Sequence, residues 1–182
     1  AFPDLAVYKT DIVNVYSAHK FHHLWYDSKG LLEFGSSLYE KVKNIEEEGV
    51  LMKFPYQEKL DGVFVEEIEN NLTETQTDLM LSCLFMFYSA KVYQGLDEKT
   101  TKSIEWLLLR KHMSYEGLLD SVMLNPAMLE QDEKLIFSQY YKLRSVLQKY
   151  RAIEKSGGWK PIMFDEKFKS ISPGDTSAVL KQ

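Results

Sequence analysis

Up to Gly157, apolar residues recur at three- and four-residue intervals, and that period predicts a succession of helices. Asp11 to His23 places Ile12, Val13, Tyr16, Lys20 and His23 at helical spacing, which predicts a first amphipathic helix. "WYDSKGLL" then reads as a turn, with Asp27, Ser28 and Gly30 as its polar punctuation. From Leu31 the series Leu31, Phe34, Leu38, Val42 and Ile45 predicts a second helix, and Gly49 is placed to end it in a left-handed cap. A loop around Pro55 runs into a short helix with Leu60, Val63, Phe64 and Ile68 on one side.

"TETQTDLMLSCLFMFYSAKVYQG" is apolar nearly all round, which marks a central helix, and Gly95 ends it. Thr75, three residues before Asp78, nearly matches a capping pattern. Leu79 to Ala90 is the most hydrophobic run, but it is too short to cross a bilayer and reads as a buried helix. Smaller helices are expected around Ile104 to Leu109 and from Ser114, as N-cap, to Met123. The last long helix is expected from about Asp132, with Ile136, Tyr140, Leu143, Leu147 and Tyr150 facing the core and Gly157 as its stop. Strand-like alternation persists nowhere before that stop, and the chain shows neither a fixed-period repeat nor a low-complexity tract. The predicted fold class is all-α, an irregular multi-helix bundle with an extended C-terminal tail leading to a missing domain.

That tail, "WKPIMFDEKFKSISPGDTSAVLKQ", contains Pro161, Pro173 and Gly174 and too few apolar residues to complete a fold. Its end reads as a turn followed by the first turns of a helix, capped by Asp175, Thr176 or Ser177. The expected organisation is a helical domain over residues 1–158 and a linker with the start of a truncated region over 159–182. The N-terminus "AFPDLAVYKTD" lacks the basic start and apolar run of a signal peptide, so any export signal is expected to lie outside this chain.

Composition narrows the function classes. At 182 residues, 45% apolar and 13% aromatic, the chain suits one well-cored domain and excludes a disordered one. A net charge of -5 excludes the basic footprint that nucleic acid demands. Lys142, Arg144, Lys149 and Arg151 are interleaved with core positions on one helix and read as a solvated face. The single cysteine, Cys83, rules out an intrachain disulfide and a cysteine-based zinc site.

Candidate chemistry is sparse. Cys83 lies between Leu81 and Phe85 in the most apolar helix, a place that hides a thiol and raises its pKa. His19, His22 and His23 form H-x-x-H-H, and His19 with His23 could share a helix face as zinc ligands do, yet the intervening Glu and a third ligand are missing. Lining the edge of an aromatic core beside Trp25 and Tyr26 is the reading preferred for them, and His112 stands alone. The acidic runs "NIEEEGV" and "VEEIEN" read as exposed faces, phosphate-binding glycine motifs are absent, and "NLT" at Asn71 is a common triplet. No catalytic residue, metal ligand or cofactor site is assigned.

Four stretches in order carry a family resemblance: "FHHLWYDSKG", "TQTDLMLSCLFMFYSAKVYQGLD", "YYKLRSVLQKYRAIEKSGGWKPI" and "ISPGDTSAVLKQ". The chain resembles the N-terminal scaffold region of the large L,D-transpeptidases of bacterial cell walls, most specifically at Tyr150, Arg151, Gly157, Gly158 and Trp159 and at Pro173, Gly174 and Asp175. The resemblance implies a parent enzyme of the periplasm or cell envelope. There a cysteine thiolate, activated by histidine, attacks a stem-peptide carbonyl, and a neighbouring amine resolves the acyl-enzyme. It implies that residues 159–182 open a peptidoglycan-binding-like region. The partners it implies are the catalytic domain of the same polypeptide and peptidoglycan itself.

The family's Ser-His-Gly-Cys motif is nowhere in these residues, and Cys83 follows Leu81 and Ser82, so the catalytic role does not transfer. The chain alone is expected to be inert, a support for the catalytic domain, with the eight residues just named as seam candidates. Two other readings remain: a self-contained helical interaction module with a groove for a partner helix or peptide, and a complete small enzyme built on the histidines or acidic runs.

Overall fold

A computed structural model describes residues 2–95, 102, 103, 114–129 and 138–159. Among them are six α-helices: α1 (Lys9–Ala18), α2 (Glu33–Lys43), α3 (Gln57–Phe64), α4 (Glu74–Tyr88), α5 (Tyr115–Leu124) and α6 (Ser138–Lys155). The described part is all-α apart from one minimal hairpin, β1 (Tyr26–Asp27) against β2 (Gly30–Leu31), pairing antiparallel in the register Tyr26 to Leu31. That hairpin is the predicted turn. Asp27 Oδ1 accepts the Lys29 N–H at 2.7 Å, and Gly30 takes a φ of +118° that a side chain would resist. The chain falls into two compact units, Ala1–Arg144 and Ser145–Gln182.

In the first unit α4 is the axis of the core, packed against by α1, α2 and α3. Its residues from Met80 to Tyr88 are buried all round, as its uninterrupted apolar sequence requires. α2 turns Phe34, Leu38 and Val42 inward on one stripe, and the buried Ile45 follows in a 3-10 turn. Gly49 closes that turn at φ +81°, in the expected left-handed cap. Gly35 lets α2 approach α4, since a Cβ there would lie 3.3 Å from Leu81 Cδ1. Trp25 is fully buried, its ring stacked on Phe34 with centroids 5.0 Å apart. On the other side, Leu118, Leu119 and Val122 of α5 complete the core beside α1.

Several local expectations shift. The first helix ends at Ala18, and Lys20 and Phe21 both adopt left-handed backbone, φ +55° and +59°. The histidine cluster therefore does not sit on one helix. The cap of α4 is Thr73, two residues earlier than predicted: its hydroxyl accepts the Gln76 N–H and the Gln76 side chain accepts the Thr73 N–H. Asp78 is free for another role. α4 continues as a π turn over Ser89–Tyr93 before Gly95 ends it at φ +72°. α3 stops at Phe64, which leaves Ile68 outside the helix and exposed.

The larger correction concerns α6. None of its residues is fully buried: Tyr140 packs partly buried against the core as expected, but Leu143, Leu147 and Tyr150, expected to face it too, are not buried. Leu143 is 60% exposed and Tyr150 55%. Ile104–Leu109, His112, Asp132 and Ile136 lie outside the described residues, as do residues 160–182.

Candidate functional site

In the second unit, the described seam candidates gather at one place. α6 ends in a Schellman motif: the Gly158 N–H reaches the Ile153 carbonyl and the Gly157 N–H the Glu154 carbonyl, each at 2.9 Å. Gly157 at φ +98° and Gly158 at +79° supply the left-handed backbone this reversal needs. Trp159 is thereby turned back toward the helix, and its ring meets Tyr150 edge-on at 5.7 Å and 64°. Together with Leu147, Arg151, Glu154 and Gly158, the two aromatic rings line an open recess of about 490 Å³. Trp159 remains 70% exposed. Of the eight seam candidates, Tyr150, Arg151, Gly158 and Trp159 share this recess and Gly157 builds the turn. Pro173, Gly174 and Asp175 lie outside the described residues.

A recess of this kind offers apolar surface with a cation and a carboxylate on its rim. Among the described residues, no cysteine or histidine lines it.

The remaining candidates diverge. Cys83 is buried in α4, and burial pushes its thiol from the ordinary 9.0 up to about 12, so it is held protonated. His19 Nε2 lies 2.8 Å from Asp120 Oδ1 of α5, while His23 Nε2 lies 3.3 Å from Thr75 Oγ1 of α4 and its ring sits 5.8 Å from Tyr26. The two imidazoles thus serve different helices, and His22 is exposed. Among the described residues no three His, Cys, Asp or Glu side chains converge as metal ligands.

Two polar centres escaped the sequence reading. Asp78, fully buried, accepts the Leu24 and Trp25 N–H groups on Oδ1 at 2.9 and 2.8 Å and the Tyr16 hydroxyl on Oδ2. Ser82 Oγ accepts the Trp25 indole N–H at 2.8 Å and lies 3.0 Å from the Tyr16 hydroxyl. Burial first, and the Asp78 bond second, push the Tyr16 phenol far above its ordinary range. The centre ties α1, α4 and the loop before β1 together, which is structural work. The other is Glu48, expected on an exposed acidic face. Its carboxylate accepts the Tyr140 hydroxyl and pairs with Arg144 Nη2 at 2.9 Å, leaving its side chain only 6% exposed. Arg144 is therefore not part of a freely solvated basic face. No signal in a run of three glutamates distinguishes the one that a distant helix will engage.

A family model described as a Scaffold domain matches residues 10–147. The chain belongs to that scaffold-domain family. Comparison with curated proteins and with solved structures found no match for it. The matched span covers the buried core except Leu5, together with Asp78 and Glu48, and its last residue, Leu147, is the first that lines the recess. No described helix is long and apolar enough to cross a membrane.

Proposed function

We propose that this scaffold domain is the non-catalytic support of a cell-wall L,D-transpeptidase, holding a cysteine-bearing catalytic domain of the same polypeptide during peptidoglycan cross-linking or remodelling. In this reading the protein works in the bacterial periplasm or cell envelope. Tyr150, Arg151, Gly157, Gly158 and Trp159 form the seam, with Pro173, Gly174 and Asp175 continuing it. The observation that carries the reading is the aromatic recess at the reversal after α6, where Tyr150 and Trp159 are both exposed. Exposed Tyr and Trp side by side are the residues that anchor docked surfaces. The ordered resemblance of "YYKLRSVLQKYRAIEKSGGWKPI" and "ISPGDTSAVLKQ" supports the same assignment. In this reading the chemistry belongs to the catalytic domain, since the cysteine-based acyl transfer needs an accessible thiolate and Cys83 is buried and protonated.

The test compares the full gene product with residues 1–182 on a disaccharide-tetrapeptide substrate. The full product should form cross-linked dimers and lose that activity on thiol alkylation, with Cys83→Ser as active as the parent. Residues 1–182 should turn over nothing. Turnover by residues 1–182, or a gene without a downstream Ser-His-Gly-Cys, would overturn the assignment in favour of a small enzyme or a self-contained interaction module. Incubating residues 1–182 with purified sacculi asks separately about peptidoglycan, and retention would add a binding role to the supporting one.

A further inference from the structure

We propose that the segment Phe2–Val7 is a detachable strap, latched by Tyr56, whose release loosens the start of α3. This device is independent of the transpeptidase reading, and every residue in it belongs to the first compact unit. The segment lies within a 3-10 helix, Pro3–Tyr8, that packs against α4. Six residues is longer than the three or four that the poorer hydrogen-bond geometry of such a helix usually sustains. Phe2, at its N-cap, supplies no side-chain cap. Within the helix only Leu5 is buried, while Asp4, Ala6 and Val7 are exposed. The strap is thus weak by itself, and beyond Leu5 it is gripped by two contacts with Tyr56. The Phe2 ring meets the Tyr56 ring edge-on at 5.2 Å and 63°. The Tyr56 hydroxyl donates to Asp4 Oδ2 at 2.6 Å.

The latch is itself strained. Tyr56 precedes α3 with φ +63° and ψ +28°, left-handed backbone that a bulky side chain resists. Two anchors set this reversal. Phe54, buried, meets Phe87 of α4 edge-on at 5.5 Å, and Leu60 of α3 is fully buried. Between them the Tyr56 carbonyl accepts the Lys59 N–H at 3.0 Å and opens the helix. Its side chain caps nothing in α3 and turns to Asp4 instead. Closing the strap therefore holds Tyr56 in a costly conformation, and opening it removes both contacts and lets that backbone relax. One residue that both grips and pushes brings the latched and released states close in free energy, as a two-state element requires. The coupling is reciprocal. Whatever takes hold of Phe2–Val7 loosens the first turn of α3, and whatever stiffens that turn keeps the strap down.

Amide hydrogen exchange on the full gene product tests the latch. The Leu5, Ala6 and Val7 amides should exchange about a hundredfold faster than those of Met80–Phe87, with little dependence on low urea, because the strap opens while α4 stays closed. Asp4→Ala and Tyr56→Phe should each speed strap exchange about tenfold, which corresponds to about 1.4 kcal/mol. The Lys59 amide, distant in sequence from Asp4, should accelerate with the strap in both variants. The double variant should exchange no faster than either single one, since both remove the same bond. The latch is overturned if the strap amides exchange only together with α4, at the same urea dependence. It is overturned equally if Asp4→Ala leaves Lys59 unchanged, or if the two substitutions add. A variant that loses the protection of α4 would place the strap in the cooperative core and overturn the device as well.

Discussion

Replacing Asp78 tests which feature of the buried polar centre holds the scaffold domain together. Asp78→Ala removes the acceptor of two buried N–H groups, those of Leu24 and Trp25, while the Tyr16 hydroxyl still has Ser82 Oγ at 3.0 Å. A buried donor left without a partner costs about 1–3 kcal/mol, so the pair should cost about 2–6 kcal/mol. Against a domain stability of about 5–15 kcal/mol that is a large fraction. Asp78→Asn keeps Oδ1 for both N–H groups and can donate to the Tyr16 oxygen, so only the charge assistance is lost, about 1–2 kcal/mol. Urea unfolding of residues 1–182, followed by far-UV circular dichroism, measures both. As a control, Asp120→Ala breaks the partly exposed pair with His19 and should cost under about 1 kcal/mol. If Asn costs as much as Ala, the centre depends on charge and not on the accepted N–H groups. An Ala variant within about 1 kcal/mol of the parent would show that water or a shifted loop satisfies those groups.

The other predictions are briefer. Native Cys83 should resist iodoacetamide at pH 8 and react at once in urea; rapid native labelling would refute its burial. Because its folded pKa is raised from 9.0 to about 12, its contribution to stability is complete below pH 9 and fades as pH rises toward 12. The slope from this group approaches about 1.4 kcal/mol per pH unit, readable from urea midpoints in alkali. Gly62→Ala should destabilise by about 1–3 kcal/mol, because its Cβ would sit 2.5 Å from the Glu69 carbonyl oxygen. Gly117→Ala, with open space in a helix, should instead raise stability by about 0.5–1 kcal/mol in the same melts. Glu48→Gln should lose about 1–3 kcal/mol through its bonds to Arg144 and Tyr140, and a neutral result would refute that junction.

Much of the architecture was legible because burial writes itself into periodicity. The stripe of α2, the all-round apolar α4, the Ser114 cap and the glycine stops at Gly49, Gly95 and Gly157 all follow from local rules that need no partner. The cap of α4 was misplaced by two residues because "TETQTD" offers overlapping T-x-x-D and T-x-x-Q choices. Tertiary contact decided between them, drawing Asp78 inward to the Leu24 and Trp25 N–H groups. For the recess, the motif around Tyr150 to Trp159 was visible in the sequence. Its geometry needed the paired Schellman bonds that fold Trp159 back.

By itself, then, the sequence determined that this chain would be helical, where most helices would stop, and that its lone thiol would be hidden. Those properties depend on neighbours within a turn or two, or on hydrophobicity averaged over a helix. Only the tertiary structure decided which polar groups would meet at long range: Tyr16 with Asp78, Glu48 with Arg144, His19 with Asp120. It also decided that Leu143 and Tyr150 of α6 would stay exposed. A period of apolar residues says that a face wants covering and is silent on what covers it, because that is settled by whichever surface the folded chain brings alongside.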